Sequence, residues 1–119
     1  MKRSIDFYTK FLGLELVERH DIPQNNAEIA FLQDHEKKGS MLELTLFRNQ
    51  VKFIQADFED RLFDHLAFSV EDIKDTIAQM RAQNVVITDE PFRLGEGGSL
   101  IAFIEDPDGT LIELVEKPS

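Results

Sequence analysis

Three side chains have the types and the neighbours to do chemistry together: Glu43, His65 and Glu113. Each acid interrupts an apolar stretch, Glu43 in Met41-Leu42-Glu43-Leu44-Thr45-Leu46-Phe47 and Glu113 in Leu111-Ile112-Glu113-Leu114-Val115. His65 precedes another, Leu66-Ala67-Phe68-Ser69-Val70. Read with the two-residue period of a strand, Leu42, Leu44 and Leu46 point one way and Met41, Glu43, Thr45 and Phe47 the other. Ile112 and Leu114 separate in the same way from Leu111, Glu113 and Val115, as do Leu66, Phe68 and Val70 from His65, Ala67 and Ser69. All three polar groups therefore fall on the sheet face turned away from the helices. A lone carboxylate among apolar neighbours is costly unless it is paired, protonated or bound to a cation. Two carboxylates and an imidazole form an N/O ligand set suited to Zn²⁺, Ni²⁺, Co²⁺, Mn²⁺ or Fe²⁺, with water in the open positions. The other reading of the pattern is that both glutamates reach water from an open sheet face and that His65 is a satisfied structural histidine.

The elements that position these residues occur twice. Gly39-Ser40-Met41-Leu42-Glu43-Leu44 returns 70 residues later as Gly109-Thr110-Leu111-Ile112-Glu113-Leu114, and Ile29-Ala30-Phe31-Leu32-Gln33-Asp34 returns 72 residues later as Ile101-Ala102-Phe103-Ile104-Glu105-Asp106. The offsets differ by a longer turn in the first copy. A helical pattern precedes each copy. In the first, Ser4 is the expected N-cap, Ile5, Tyr8 and Leu12 form the apolar stripe, Phe7 and Phe11 widen it, and Gly13 suits a left-handed C-terminal position. In the second, Asp72 is the expected cap, Ile73, Ile77 and Met80 form the stripe, and Asn84 ends it. Each half thus reads as a helix followed by three strands. The second also has an opening strand, 63–70, whose counterpart would fall upstream of Met1. The expected class is α+β, a single domain of two βαβββ modules (1–47 and 63–119), the first lacking its opening strand, joined by a connector over 48–62.

Asp106-Pro107-Asp108-Gly109, set between two apolar runs, predicts a hairpin turn. It lacks the further ligands and closing Glu of a calcium loop. Gly95-Glu96-Gly97-Gly98 does not open a helix, so it reads as a turn and not as a phosphate-binding loop. His20 and His35 lie in polar stretches, and no serine has the setting of a nucleophile. The 119 residues carry 23 acidic and 13 basic side chains, a net charge of −10, which disfavours nucleic acid and anionic membrane surfaces as partners. With no cysteine there is no disulfide framework, thiolate site or cysteine nucleophile, and a cytoplasmic location is expected. No apolar run approaches the length of a membrane span.

Four stretches make the sequence similar to the vicinal oxygen chelate superfamily and, within it, to the short bacterial glyoxalase I (lactoylglutathione lyase) type. They are residues 3–14, Leu42-Glu43-Leu44-Thr45, Asp64-His65-Leu66-Ala67-Phe68-Ser69-Val70, and 101–109 continuing through Ile112-Glu113-Leu114. The resemblance implies two modules whose mostly antiparallel sheet cups one divalent ion, with the helices on the outer face. It implies Glu43, His65 and Glu113 as metal ligands, a further His belonging to the strand this chain lacks, and Ni, Zn, Co or Mn as the ion. The implied activity is a lyase or isomerase reaction on a small molecule with adjacent oxygens. A metal-bound glutamate moves the proton between neighbouring carbons through an enediolate-like state, Glu113 as base with Glu43 opposite it. It also implies a homodimer with shared sites. Phe47 stands where many glyoxalase I sequences have Asn, Asp64 where they have Gly, and Gly95 and Glu96 where they often have Lys, departures that weigh against glutathione as co-substrate. The alternative of a different class is a non-catalytic protein of the same fold, resembling bleomycin-resistance proteins, whose acidic cup sequesters a cationic drug. The Glu-His-Glu set favours the enzyme, because sequestration needs no metal ligands.

Overall fold

The computed structural model describes residues 1–49, 59 and 65–118 and divides into two compact units, Met1–Ile54 and Gln55–Ser119. In the first unit, helix α1 (Lys2–Leu12) is followed by strands β1 (Glu15–Ile22), β2 (Ala27–Gln33) and β3 (Leu42–Phe47), with a short 3₁₀ turn, Pro23–Asn25, between β1 and β2. Burial of Ile5, Phe7 and Tyr8 seats α1 on β1 and β2. The helix begins earlier than expected. Met1 occupies the N-cap position, and its carbonyl accepts from the amides of Ser4 and Ile5, both at 3.1 Å. Ser4 therefore sits within the first turn and does not cap it; no side chain caps this helix. Gly13 ends the helix as expected, at φ 67°, a conformation that costs a residue with a Cβ more than it costs glycine.

The sheet order is β1-β2-β3, antiparallel throughout. β1 is exposed along its length and carries Glu15, Glu18, Arg19, His20 and Asp21, charges that keep an edge strand from pairing with another chain. Among the described residues β3 pairs with β2 and has no neighbour on its other side.

The second unit adds a strand that has no counterpart among the described residues of the first. Strand β4 (Leu66–Ser69) leads into helix α2 (Ile73–Ala82) and then into β5 (Val86–Arg93), β6 (Leu100–Glu105) and β7 (Leu111–Glu116). Of the expected opening strand, Phe63 and Asp64 lie outside the described residues, as does the 48–62 connector apart from Arg48, Asn49 and Glu59. The sheet runs β4-β7-β6-β5, with β4 parallel to β7 and the other neighbours antiparallel. Asp72 caps α2 as expected, its carboxylate accepting from the Asp75 amide at 3.0 Å, and Asn84 follows the helix at φ 63°. Glu116 of β7 also reaches the helix start, accepting from the Ile73 amide at 2.7 Å. Ile73, Ile77 and Met80 are buried on the helix side of the sheet, with Ile104, Ile112 and Leu114.

Two helices and seven strands in mixed sheets give an α+β fold among the described residues, as the sequence led us to expect. None of its helices is long and apolar enough to cross a membrane. The two copies of the repeat also share their pairing. In the first unit Ala30, Phe31 and Leu32 stand opposite Leu44, Glu43 and Leu42; in the second, Ala102, Phe103 and Ile104 stand opposite Leu114, Glu113 and Ile112.

The turn that sets the second register is fastened by Asp106, which is only 6% exposed. Its Oδ1 accepts from the amides of Asp108 at 2.9 Å and Thr110 at 2.8 Å, while the Gly109 amide donates to the Asp106 carbonyl at 3.0 Å. Gly109 holds φ 81°. Removing the carboxylate leaves two amides without that acceptor in a largely buried turn. We expect Asp106→Ala to destabilise the protein by about 2 kcal/mol, read as a lower urea midpoint with an unchanged dependence on denaturant.

Candidate functional site

Strand β7 places Glu113 by exclusion. Ile112 and Leu114 are fully buried against the helix side, so the residue between them must project from the opposite face. On one side of β7, β4 runs parallel with Ala67 beside Glu113. His65, two residues before Ala67, shares its face and leans back toward the acid. Its Nε2 lies 2.9 Å from Glu113 Oε2, with side-chain exposures of 31% and 18%. In the tautomer with a proton on Nε2 the ring donates this hydrogen bond to the carboxylate.

On the other side of β7, β6 places Phe103 directly opposite Glu113. The Phe103 ring meets the imidazole of His65 edge to face, with centroids 5.6 Å apart and planes at 90°. Strands β4 and β6 flank β7, so their backbones are about 9.5 Å apart. Both rings therefore lean inward over the strand that carries the glutamate. The result is a carboxylate and an imidazole in contact, half open to solvent, with an aromatic wall behind the imidazole.

The sequence did not single out Phe103. A signal was present: Phe31 and Phe103 match across the 72-residue offset, and each stands one pairing away from its glutamate. Assigning faces to the penultimate strand of each copy would have put the phenylalanine beside the acid.

Glu43 lies on β3 of the first unit, exposed, on the same face as Thr45, whose hydroxyl donates to Glu43 Oε1 at 3.2 Å. Of the three residues singled out from the sequence, the structure thus joins His65 to Glu113. Among the described residues no group of three or more His, Cys, Asp or Glu side chains is gathered closely enough to hold a metal ion. The His65–Glu113 pair nevertheless fits one side of such a site. An imidazole nitrogen and a carboxylate oxygen 2.9 Å apart are donors of the type that would hold a divalent ion. His20 and His35 are exposed. Gly95 and Glu96 are exposed too, in the β5–β6 turn, and Asp64 lies outside the described residues.

Comparison with known proteins points the same way as the fold. A family model described as the Glyoxalase/Bleomycin resistance protein/Dioxygenase superfamily matches residues 1–114. A protein of Vibrio cholerae named as a probable lactoylglutathione lyase is 33% identical over 119 residues, covering 98% of this chain and 83% of its own. Among solved structures, the trypanothione-dependent glyoxalase I of Leishmania major superposes with a TM-score of 0.77 at 34% identity, covering 98% of this chain and 78% of that one. Glyoxalase I of Zea mays superposes with a TM-score of 0.81 at 28% identity over 99% of this chain, which spans 41% of the maize chain.

Because the His65–Glu113 contact is partly solvated, it contributes little to folding. We expect Glu113→Gln and His65→Gln each to leave the free energy of unfolding within about 1 kcal/mol of the parent protein, as measured by urea titration.

Proposed function

The chain belongs to the Glyoxalase/Bleomycin resistance protein/Dioxygenase superfamily, and from that premise we propose that it is a divalent-metal-dependent lyase or isomerase of the glyoxalase I type. The observation that carries the reading is the His65–Glu113 pair on the sheet face away from α2, an imidazole and a carboxylate 2.9 Å apart. Relatives named lactoylglutathione lyase, about one third identical over nearly the whole chain, support the reaction class.

In this reading the substrate is a small molecule with oxygens on neighbouring carbons, such as the hemithioacetal formed between methylglyoxal and a thiol. His65, Glu113 and Glu43 are the metal ligands. A divalent ion, Ni, Zn, Co or Mn, would supply polarisation of the two oxygens and so acidify the adjacent C–H. Glu113 is the base: its carboxylate takes the proton from the first carbon and returns it to the second, while the hydroxyl proton on the first carbon passes to the oxygen of the second, so the conversion is an internal redox isomerisation that consumes nothing. His65 flanks Glu113 and supplies the nitrogen ligand through Nε2. The aromatic wall behind the imidazole limits water on that side, so the abstracted proton stays with the carboxylate. Glu43, the repeat partner of Glu113, is the second carboxylate of the set. The protein acts as a homodimer with shared sites. Phe47, where many glyoxalase I sequences carry Asn, leaves the thiol partner to be settled by assay.

Elemental analysis of protein purified without added metal or chelator tests this reading. We expect close to one Ni, Zn, Co or Mn per chain, lost in Glu113→Ala and in His65→Ala. The loaded protein should isomerise methylglyoxal hemithioacetals, assayed with glutathione and with a second thiol. Glu113→Gln should lower kcat by at least about 100-fold, the usual scale for a general base. Absence of metal in the parent protein even after soaking would sink the enzyme and turn attention to a sequestering protein of the same fold.

A further inference from the structure

We propose that the groove between α2 and the edge strand β5 binds a small organic monoanion, its carboxylate at the Lys74 ammonium and its aliphatic body on the apolar strip between helix and strand. The groove lies on the helix side of the second unit's sheet, whereas His65 and Glu113 meet on the opposite face, so the proposal stands apart from the function assigned to that pair.

The helix wall of the groove follows from spacing. Lys74, Ile77, Ala78 and Arg81 stand at i, i+3, i+4 and i+7 on α2, one stripe about two turns or roughly 10 Å long. Ile77 is only 4% exposed and forms the floor, while Ala78 is exposed and too short to fill the space beside it. The strand wall depends on a fault in the pleat. Consecutive residues of a regular strand point to opposite faces, yet Glu90 and Pro91 both line the groove. The β5–β6 register shifts between Asp89 and Phe92, so the two residues between them have no register partner on β6, and the irregularity lets both side chains reach the helix side. Pro91 is tolerated there because β5 is the edge of its sheet. The groove has a volume of about 390 Å³, within the range of about 300–1,000 Å³ common to small-molecule sites.

Charge selects the occupant. Arg81 pairs with Glu90 from helix to strand, and the two charges offset each other. The Lys74 ammonium, at the other end of the stripe, has no hydrogen bond or ion pair among the described residues. The helix acids that flank it in sequence are engaged elsewhere: Asp72 accepts from the Asp75 amide at 3.0 Å, and Asp75 from the Gln79 side chain at 2.6 Å. One positive charge therefore remains over at the groove, in a chain whose net charge is −10. A bare inorganic anion would leave Ile77, Ala78 and Pro91 uncovered, and a neutral apolar molecule would leave the ammonium unused. A second carboxylate gains nothing at the far end, where Glu90 already holds Arg81, so the fit is to a monoanion with an apolar body.

The test titrates the whole metal-free chain with hexanoate and follows backbone amide shifts by NMR. Saturable shifts should be confined to α2 and β5 around Lys74, Ala78, Arg81 and Glu90. Hexanol should bind about fivefold more weakly, the scale of one solvated ion pair, and acetate should give no saturable shift. Lys74→Gln should weaken hexanoate by the same factor while leaving hexanol unchanged. Ala78→Phe, which places a ring in the groove from an exposed position, should abolish binding of both, with urea midpoints near the parent's showing that each variant folds. Shifts that fail to saturate or that centre elsewhere on the chain overturn the proposal. So do hexylammonium binding as tightly as hexanoate, hexanoate affinity unchanged in Lys74→Gln, and binding retained in folded Ala78→Phe.

Discussion

The second unit depends on the pleat of β7. Ile112 and Leu114 are both fully buried, and Glu113 lies between them. A slip of one residue would drive the carboxylate into the apolar layer under α2 and expose two large aliphatic side chains, so the hydrophobic term by itself selects the register. Other contacts are fastened to the same strand. Asp106 holds the turn that enters it, and Glu116 near its end takes the first amide of α2. Helix, turn and both flanking strands are therefore referred to one strand, and the side chain that this strand presents on its free face is placed as accurately as the core beneath it.

The first unit repeats the plan with one difference. Phe31 faces Glu43 as Phe103 faces Glu113, and Ala30 and Leu32 are as deeply buried as Ala102 and Ile104. Yet β7 has β4 along its second edge, while β3 among the described residues has no counterpart there. The consequence is visible in both layers. Leu42 and Leu44 are half-buried where Ile112 and Leu114 are sealed, and Glu43 is exposed where Glu113 is half-covered and paired with His65. Two copies of one pattern thus hold their acids in different surroundings, because a carboxylate's setting is fixed as much by the strand beside it as by its own.

Much of this was legible in the sequence because it depends on local periodicity. The faces of β3, β4 and β7, the Asp72 cap and the turn at Asp106 each follow from residues close together in the chain, and the internal repeat from comparing two such stretches with each other. The start of α1 was misread because Ser4 has the side chain of a cap without the position: Met1 holds the N-cap position, and no side chain caps the helix. The contact between His65 and Glu113 was half legible. Strand parity put both on one face, but parity does not say which strands are neighbours, and 48 residues separate the two. Only the parallel pairing of β4 on β7 turns a shared face into a hydrogen bond. Phe103 escaped notice for a related reason: phenylalanine in an apolar strand reads as core, and its position on the open face becomes meaningful only once Glu113 is its partner.

In the function proposed above, the modest energy of the His65–Glu113 hydrogen bond is what would suit it to chemistry. A buried, fully satisfied ion pair would cost several kcal/mol to open, and a substrate or an ion would have to overcome that cost before doing anything else. Here the contact is half solvated, and the lone pairs it occupies on Nε2 and Oε2 are those that would bind a cation. Proton and cation therefore compete for one place, and a contact that contributes little to folding can be exchanged without loosening the strand that presents it. What must stay fixed is the direction of the Glu113 side chain, and that is secured elsewhere, by its buried neighbours on β7. Stability and reactivity are thus carried by different atoms of the same three strands, which lets the open face exchange its occupant while the closed face holds the register.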